Sequence, residues 1–327
     1  RLLTVTGVQT CALPIFELHR HRSGAGDRRR VAFPDVSGAA GCPGPIGLSI
    51  PIHDSSRVPR MLNSKRPRKW SPDADHSVTI AEERGVRSLH IGGLAIQSAM
   101  RLSNPEALEL HYTRAMMSFM LFHPEPEDVL MIGLGGGSLA KFIHRRLTRS
   151  RLSVVEIRPG VVAAARSYFQ LPDDDDRLQV IVDDGARYVP AHRASADVLL
   201  IDGFDDGVQP PVLCSQTFYD AAFAALREGG VLAVNFMAED RHLDAMCARL
   251  EKSFAGRVLL LEAADKVNVV VLALREGPAK VTWSELRARG ARLQQRLDLP
   301  FDHMITSLQQ RNVGNARHLF LDPATAD

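Results

Sequence analysis

The chain has 327 residues, enough for one large domain or two modest ones, with 45% hydrophobic and 24% charged content, ordinary for a globular protein. No run approaches the roughly 18 apolar residues of a membrane span, so no membrane association is expected. The net charge of +2 hides an asymmetry: residues 1–70 carry 12 Lys+Arg against 4 Asp+Glu, and the remainder carries 28 against 34. The basic excess belongs to the tail, so it gives no argument for nucleic-acid binding by the folded part.

Residues 1–60 are set aside. Val5–Ile15 reads VTGVQTCALPI, which looks like the conceptual translation of a sequencing-adapter oligonucleotide. Residues 16–60 are rich in Arg, Gly, Pro and Ser and lack a sustained apolar period. An artefactual or disordered extension is expected there, with the natural start near Met61. Cys11 and Cys42 fall in this stretch; Cys214 and Cys247 have no metal-ligand spacing. Reduced thiols in a cytoplasmic protein are the expectation. Histidines are scattered without an H-x-x-x-H pair, so no metal site is expected.

From residue 61 the chain is taken in order. The basic run Lys65–Lys69 (KRPRK) reads as a solvated arm. Residues 77–99 alternate apolar and polar around Arg84-Gly85 and Gly92-Gly93, which predicts a small antiparallel hairpin or meander. Residues 107–122 read as an amphipathic helix on Leu108, Leu110, Met116, Met117, Phe119 and Met120. Residues 61–122 therefore form a small hairpin-plus-helix region ahead of an α/β domain at 123–327. Strands are predicted at 128–133, 152–157, 178–183, 197–202, 231–236, 257–262 and 267–275. The predicted helices are 138–148, 159–169, 215–228, 240–253 and 282–296. Alternation of this kind implies a doubly wound, mostly parallel sheet.

The stretch VLMIGLGGGS, Val129–Ser138, organises that domain. An apolar run enters a glycine cluster and a helical pattern follows, which exposes backbone N–H groups at a helix N-terminus. Gly133, Gly135 and Gly137 give G-x-G-x-G, and Ser138 stands where the dinucleotide fingerprint wants its third glycine. That spacing is closer to the turn of S-adenosylmethionine-dependent enzymes. Ligands of such sheets sit at the carboxyl ends of the strands. There the chain has Glu156, Asp183-Asp184, and Asp202 with Asp205 and Asp206. Glu156 suits a pair of ribose hydroxyls, which both candidate cofactors carry. Asp184, beside Gly185, suits an adenine amine or, equally local, the N-cap of a short helix at 185–189. The acidic run Asp173–Asp176 reads as a solvated turn, and Phe204 as either a ligand cover or core.

These blocks resemble the spermidine synthase (polyamine aminopropyltransferase) family from about residue 78 to 275. The traces are GGLAIQ at 92–97, Tyr112, HPEP at 123–126, VLMIGLGGG, VVEIRP at 154–159, VDDGARYV at 182–189, LLIDGFDD at 199–206 and SQTFYDAAFAALREGGVLAVNF at 215–236. The resemblance implies a β-rich N-terminal piece before a methyltransferase-like α/β domain, and a homodimer. It implies Glu156 on the ribose, Asp184 on the adenine, Asp202 as the base and Asp205 as the anchor of an amine substrate. Gln97 and Tyr112 become candidate lid contacts. The donor is decarboxylated S-adenosylmethionine or S-adenosylmethionine itself, with no metal, and the acceptor a small-molecule amine.

The departures are local. The family turn commonly reads G-G-G-D-G-G, and its aspartate, which grips the donor's amino group, falls here on Gly136. The family's D-S-S-D-P is Asp202-Gly203-Phe204-Asp205-Asp206, its E-I-D is Glu156-Ile157-Arg158, and no tyrosine follows Tyr219. Methyl transfer and a non-catalytic nucleoside-binding role are the competing expectations.

Overall fold

The computed structural model describes residues 2–5, 78–93, 95–204 and 208–322; the run at 65–69 lies outside them. Strand β1 (Leu2–Val5), in the stretch set aside above, lies antiparallel to β2 (Val78–Glu83). The chain returns as β3 (Val86–Ile91) through Arg84 and Gly85, both at positive φ, 50° and 76°. Two left-handed residues in a two-residue loop match the right-handed twist of the strands they join. Strand β4 (Ser98–Arg101) pairs with β3 and completes the predicted meander.

The helix expected over 107–122 is shorter and of two kinds. Helix α1 (His111–Met116) passes directly into a 3-10 turn at Met117–Leu121. Every residue from Ala115 to Leu121 is buried. An element enclosed on all sides shows no solvent face, so the amphipathic reading overstated its regularity.

Then the alternation begins: β5 (Asp128–Ile132), α2 (Ser138–Arg146), β6 (Arg151–Glu156), α3 (Pro159–Phe169), β7 (Leu178–Val182), α4 (Gly185–Ala191) and β8 (Ala196–Ile201). It continues with α5 (Gln216–Ala225), β9 (Leu226–Met237), α6 (Leu243–Ser253), β10 (Val258–Glu262) and β11 (Asn268–Leu274). These seven strands, β5 to β11, form one sheet in the order β10-β11-β9-β8-β5-β6-β7. Strands β5 to β9 run parallel, and β10 and β11 run antiparallel at one side. Strand β9 starts five residues before the expected 231, because Leu226 already pairs with Ala196 across an irregularity; α5 ends correspondingly early.

Both faces of the sheet are covered. Along β5, Val129 and Met131 enter the core beneath α2, α3 and the N-terminal meander, while Leu130 and Ile132 enter the core beneath α5 and α6. Alternating side chains that are buried on both faces produce the unbroken apolar run read from sequence. The chain builds β6 and β7 on one side of β5, then returns to lay β8 on the other. A crevice opens at the carboxyl ends of β5 and β8, where the winding direction reverses.

The C-terminal segment adds β12 (Lys280–Thr282), α7 (Trp283–Leu297), α8 (Phe301–Arg311) and β13 (His318–Phe320). A capping box between Thr282 and Glu285 starts α7. Helix α8 was missing from the sequence reading, although Phe301, Met304, Ile305 and Leu308 recur at helical spacing and are buried.

Candidate functional site

The crevice is a cleft of about 940 Å³, part of it open to solvent, lined by the glycine turn and the ends of β5, β6 and β8. Gly133 leaves β5 at φ 92°, and a Cβ there would lie 2.3 Å from the backbone oxygen of Asp202. The two strand ends touch backbone to backbone, which only glycine permits. The Asp202 N–H donates to the Ile132 carbonyl at 2.9 Å and holds that contact. The turn closes with Gly137 N–H donating to the Leu134 carbonyl at 2.9 Å, and no side chain caps α2. The first N–H groups of α2 are thus left for a partner other than a capping side chain.

Glu156 ends β6 and is buried. Its Oε2 accepts from Leu134 N–H and its Oε1 from Arg158 N–H, both at 2.9 Å. Burial pushes its pKa up, and these N–H donors together with the Arg158 charge oppose that rise. Both oxygens are fixed, and each keeps a lone pair for a hydroxyl. The arrangement suits two vicinal hydroxyl groups.

Asp184 serves as the N-cap of α4, accepting from Ala186 N–H at 2.8 Å through Oδ1. The local alternative weighed from sequence is therefore realised, and Asp184 also lines the cleft, so one carboxylate oxygen caps while the other stays available. Gly185, the first residue of α4, is buried against Ile132.

Asp202 follows β8 across the cleft. Its Oδ1 accepts from Asn235 Nδ2 at 2.9 Å. Burial pushes its pKa up to about 6, against the opposing hydrogen bonds of Asn235 and Tyr112. Tyr112 is itself raised well above the ordinary phenol value, first by burial and then by the Asp202 charge and hydrogen bond. Its hydroxyl also makes a long contact to the Gln97 carbonyl, 3.4 Å. Gln97, Tyr112 and Phe204 all line the cleft. Of the residues singled out from sequence, Asp205, with Asp206, lies outside the described residues.

Gly136 is the departure from the family turn. A Cβ there would come within 2.8 Å of Ser98 Oγ and 2.9 Å of the Phe169 ring. Ser98 in turn meets Ser138 Oγ at 3.1 Å. The space an aspartate would need is filled from β4 and α3.

Sequence reasoning missed Asn235 and Ser98. Asn235 was visible as a polar residue inside the apolar run VLAVNF, a position where a buried amide must find a partner. Ser98 carried no local signal; only the packing of β4 over the turn identifies it.

Three comparisons bear on this geometry. A family model for the spermine/spermidine synthase domain matches residues 109–255. A protein from Chromobacterium violaceum named polyamine aminopropyltransferase is 40% identical over 249 residues, covering 76% of this chain and 95% of its own. The fold matches a spermidine synthase solved with the transition-state analogue AdoDATO (TM-score 0.59, 20% identity, 71% of this chain and 81% of that one). It also matches human methyltransferase-like protein 13 solved with SAH (TM-score 0.53, 25% identity, 58% and 94%). By that identity and coverage, the chain belongs to the spermine/spermidine synthase family, the polyamine aminopropyltransferases.

Proposed function

We propose that this chain is a transferase that moves an aminopropyl group from an adenosyl-sulfonium donor to a small-molecule amine, in polyamine metabolism. The observation that carries the reading is the pairing of a buried and a half-buried carboxylate across one cleft. Glu156 is held by backbone N–H groups and suits a ribose; Asp202, pushed up to about 6, faces it from β8. The glycine turn and Asp184-Gly185 complete the nucleoside end.

The sulfonium makes the carbon–sulfur bond easy to break, so the chain has to align the acceptor and free its lone pair. An alkylammonium has a pKa of about 10. Asp202 takes one of its protons, the nitrogen lone pair attacks the donor's carbon, and the bond pair leaves with sulfur as a neutral thioether. A carboxylate near 6 is a better proton acceptor than one at about 3.9 and is still mostly ionised at neutral pH. Asp205 is the proposed cation anchor, with Gln97 and Tyr112 covering the cleft. The same reading carries the decarboxylated donor, a cytoplasmic homodimer, and residues 61–122 and 123–327 as its two regions.

Methyl transfer is the second reading, favoured by one observation: the turn has no room at Gly136 for the aspartate that would hold the donor's aminopropyl ammonium. The test is incubation with S-adenosylmethionine or its decarboxylated form and a panel of amines, with products identified by mass spectrometry. Methylthioadenosine with a lengthened amine supports aminopropyl transfer. Adenosylhomocysteine with a methylated amine supports the second reading, and binding without product overturns both.

A further inference from the structure

The hydrogen bond to Asp202 does not end at Asn235. Asn235 Oδ1 accepts from Asn268 Nδ2 at 3.0 Å, which links β11 through β9 to the end of β8. Both amides are buried, 2% and 7% exposed, within the apolar runs Val231–Met237 and Asn268–Leu274. The Asn235 backbone is pinned as well, its carbonyl accepting from Gln209 Nε2 at 3.1 Å.

The direction of this chain of bonds is fixed by chemistry. An ionised carboxylate can only accept, so Asn235 must turn its NH₂ toward Asp202 and its carbonyl toward β11. Asn268 then has to present its own NH₂, as it does. Were Asn235 to rotate, its carbonyl oxygen would face the Asp202 carboxylate and Asn268 would keep only the weak Met237 sulfur as acceptor, 3.5 Å away.

We propose that Asn235 and Asn268 act as a positioning pair, which orients the Asp202 carboxylate toward the amine and keeps it ionised. The inference rests on the reading of Asp202 as the base. Asn268 does not line the cleft and its side chain bonds Asn235 and Met237, so it acts on Asp202 through Asn235. Among the described residues, Tyr112 on α1 bonds Asp202, and Glu156, Arg158 and Asp184 are the charged groups that line the same cleft. The groups presented from β9 and β11 are the two neutral amides, and the glycine turn presents backbone only.

The experiment follows the Asp202 carboxyl carbon by ¹³C NMR across pH in the full chain, its resonance assigned by difference against Asp202→Asn. Asn235→Leu is expected to raise the midpoint by about half to one unit, and Asn268→Leu to raise it less, in the same direction. The double variant is expected to match Asn235→Leu, because the second amide works through the first. The acid limb of kcat/KM moves with the midpoint, while KM for the donor stays the same. Asn235→Ser carries the same expectation where the leucine variant does not fold. Unmoved midpoints in both single variants, or fully additive shifts, overturn the pair. The titration needs no turnover, so it judges the pair separately from the base assignment. If Asp202→Asn retains activity, the base reading falls while the NMR result stands.

Discussion

The two ends of the cleft are built in different ways. At the nucleoside end, Glu156, Asp184 and the glycine turn take their hydrogen bonds largely from nearby backbone: Leu134, Arg158 and Ala186 N–H groups. At the amine end, Asp202 depends on side chains far away in sequence, Asn235 on β9 and Tyr112 on α1. Backbone donors at a strand end come with the fold and cost little to keep, whereas a side-chain network is set residue by residue. On the proposed reading, the first end is general to adenosyl ligands, and the second is where chemistry and acceptor choice are decided.

Breaking the amine end has the largest expected effect. Asp202→Asn should lower kcat by about 10²–10⁴-fold with donor binding retained, measured by steady-state kinetics and calorimetry. Its pH signature has a definite sign. The folded pKa of about 6 lies above the unfolded value, so protonation removes the base and activity falls as pH drops through about 6. Stability runs the other way: the contribution of this group is present below about pH 4 and is lost as pH rises through 6. Asp202→Asn should accordingly melt higher than the parent at pH 8 and not at pH 4.

Breaking the nucleoside end should look different. Glu156→Gln replaces two charge-assisted acceptors by a neutral amide, and should weaken donor binding by about 10–100-fold while changing kcat less. A kcat loss as large as that of Asp202→Asn would erase the proposed division between the two ends.

The boundary between them is Gly136. Gly136→Asp should not restore a donor grip but overpack Ser98 and Phe169, costing about 1–3 kcal/mol in thermal or urea unfolding. Gain of activity with decarboxylated donor in this variant would show that the turn can yield. The smallest effect is expected for Tyr112→Phe, which removes a hydrogen bond from Asp202 and should raise the kinetic midpoint near 6 by a few tenths of a unit.

Most of the architecture was legible in the chain. The seven central strands and five of the helices announce themselves through short apolar runs and helical spacing, because an alternating parallel sheet buries each strand on both faces. The regular amphipathic helix expected over 107–122 was not, since a segment enclosed on every side carries no periodicity. Helix α8 was legible but unread, lying beyond the stretch covered by the family blocks. The double use of Asp184 was visible only as two alternatives, and its geometry allows both at once.

What the sequence by itself determined is the location of the site: glycines after β5 and carboxylates after β6, β7 and β8 must gather at one sheet edge, because parallel strands all end on the same side. Tertiary structure alone decided how that edge is tuned. The filling of the space over Gly136 by Ser98 and Phe169, and the run of amides from Asn268 to Asp202, join residues 33 to 38 positions apart. Packing across elements of this kind leaves no period or motif in the chain, since it depends on which strands become neighbours and at what register.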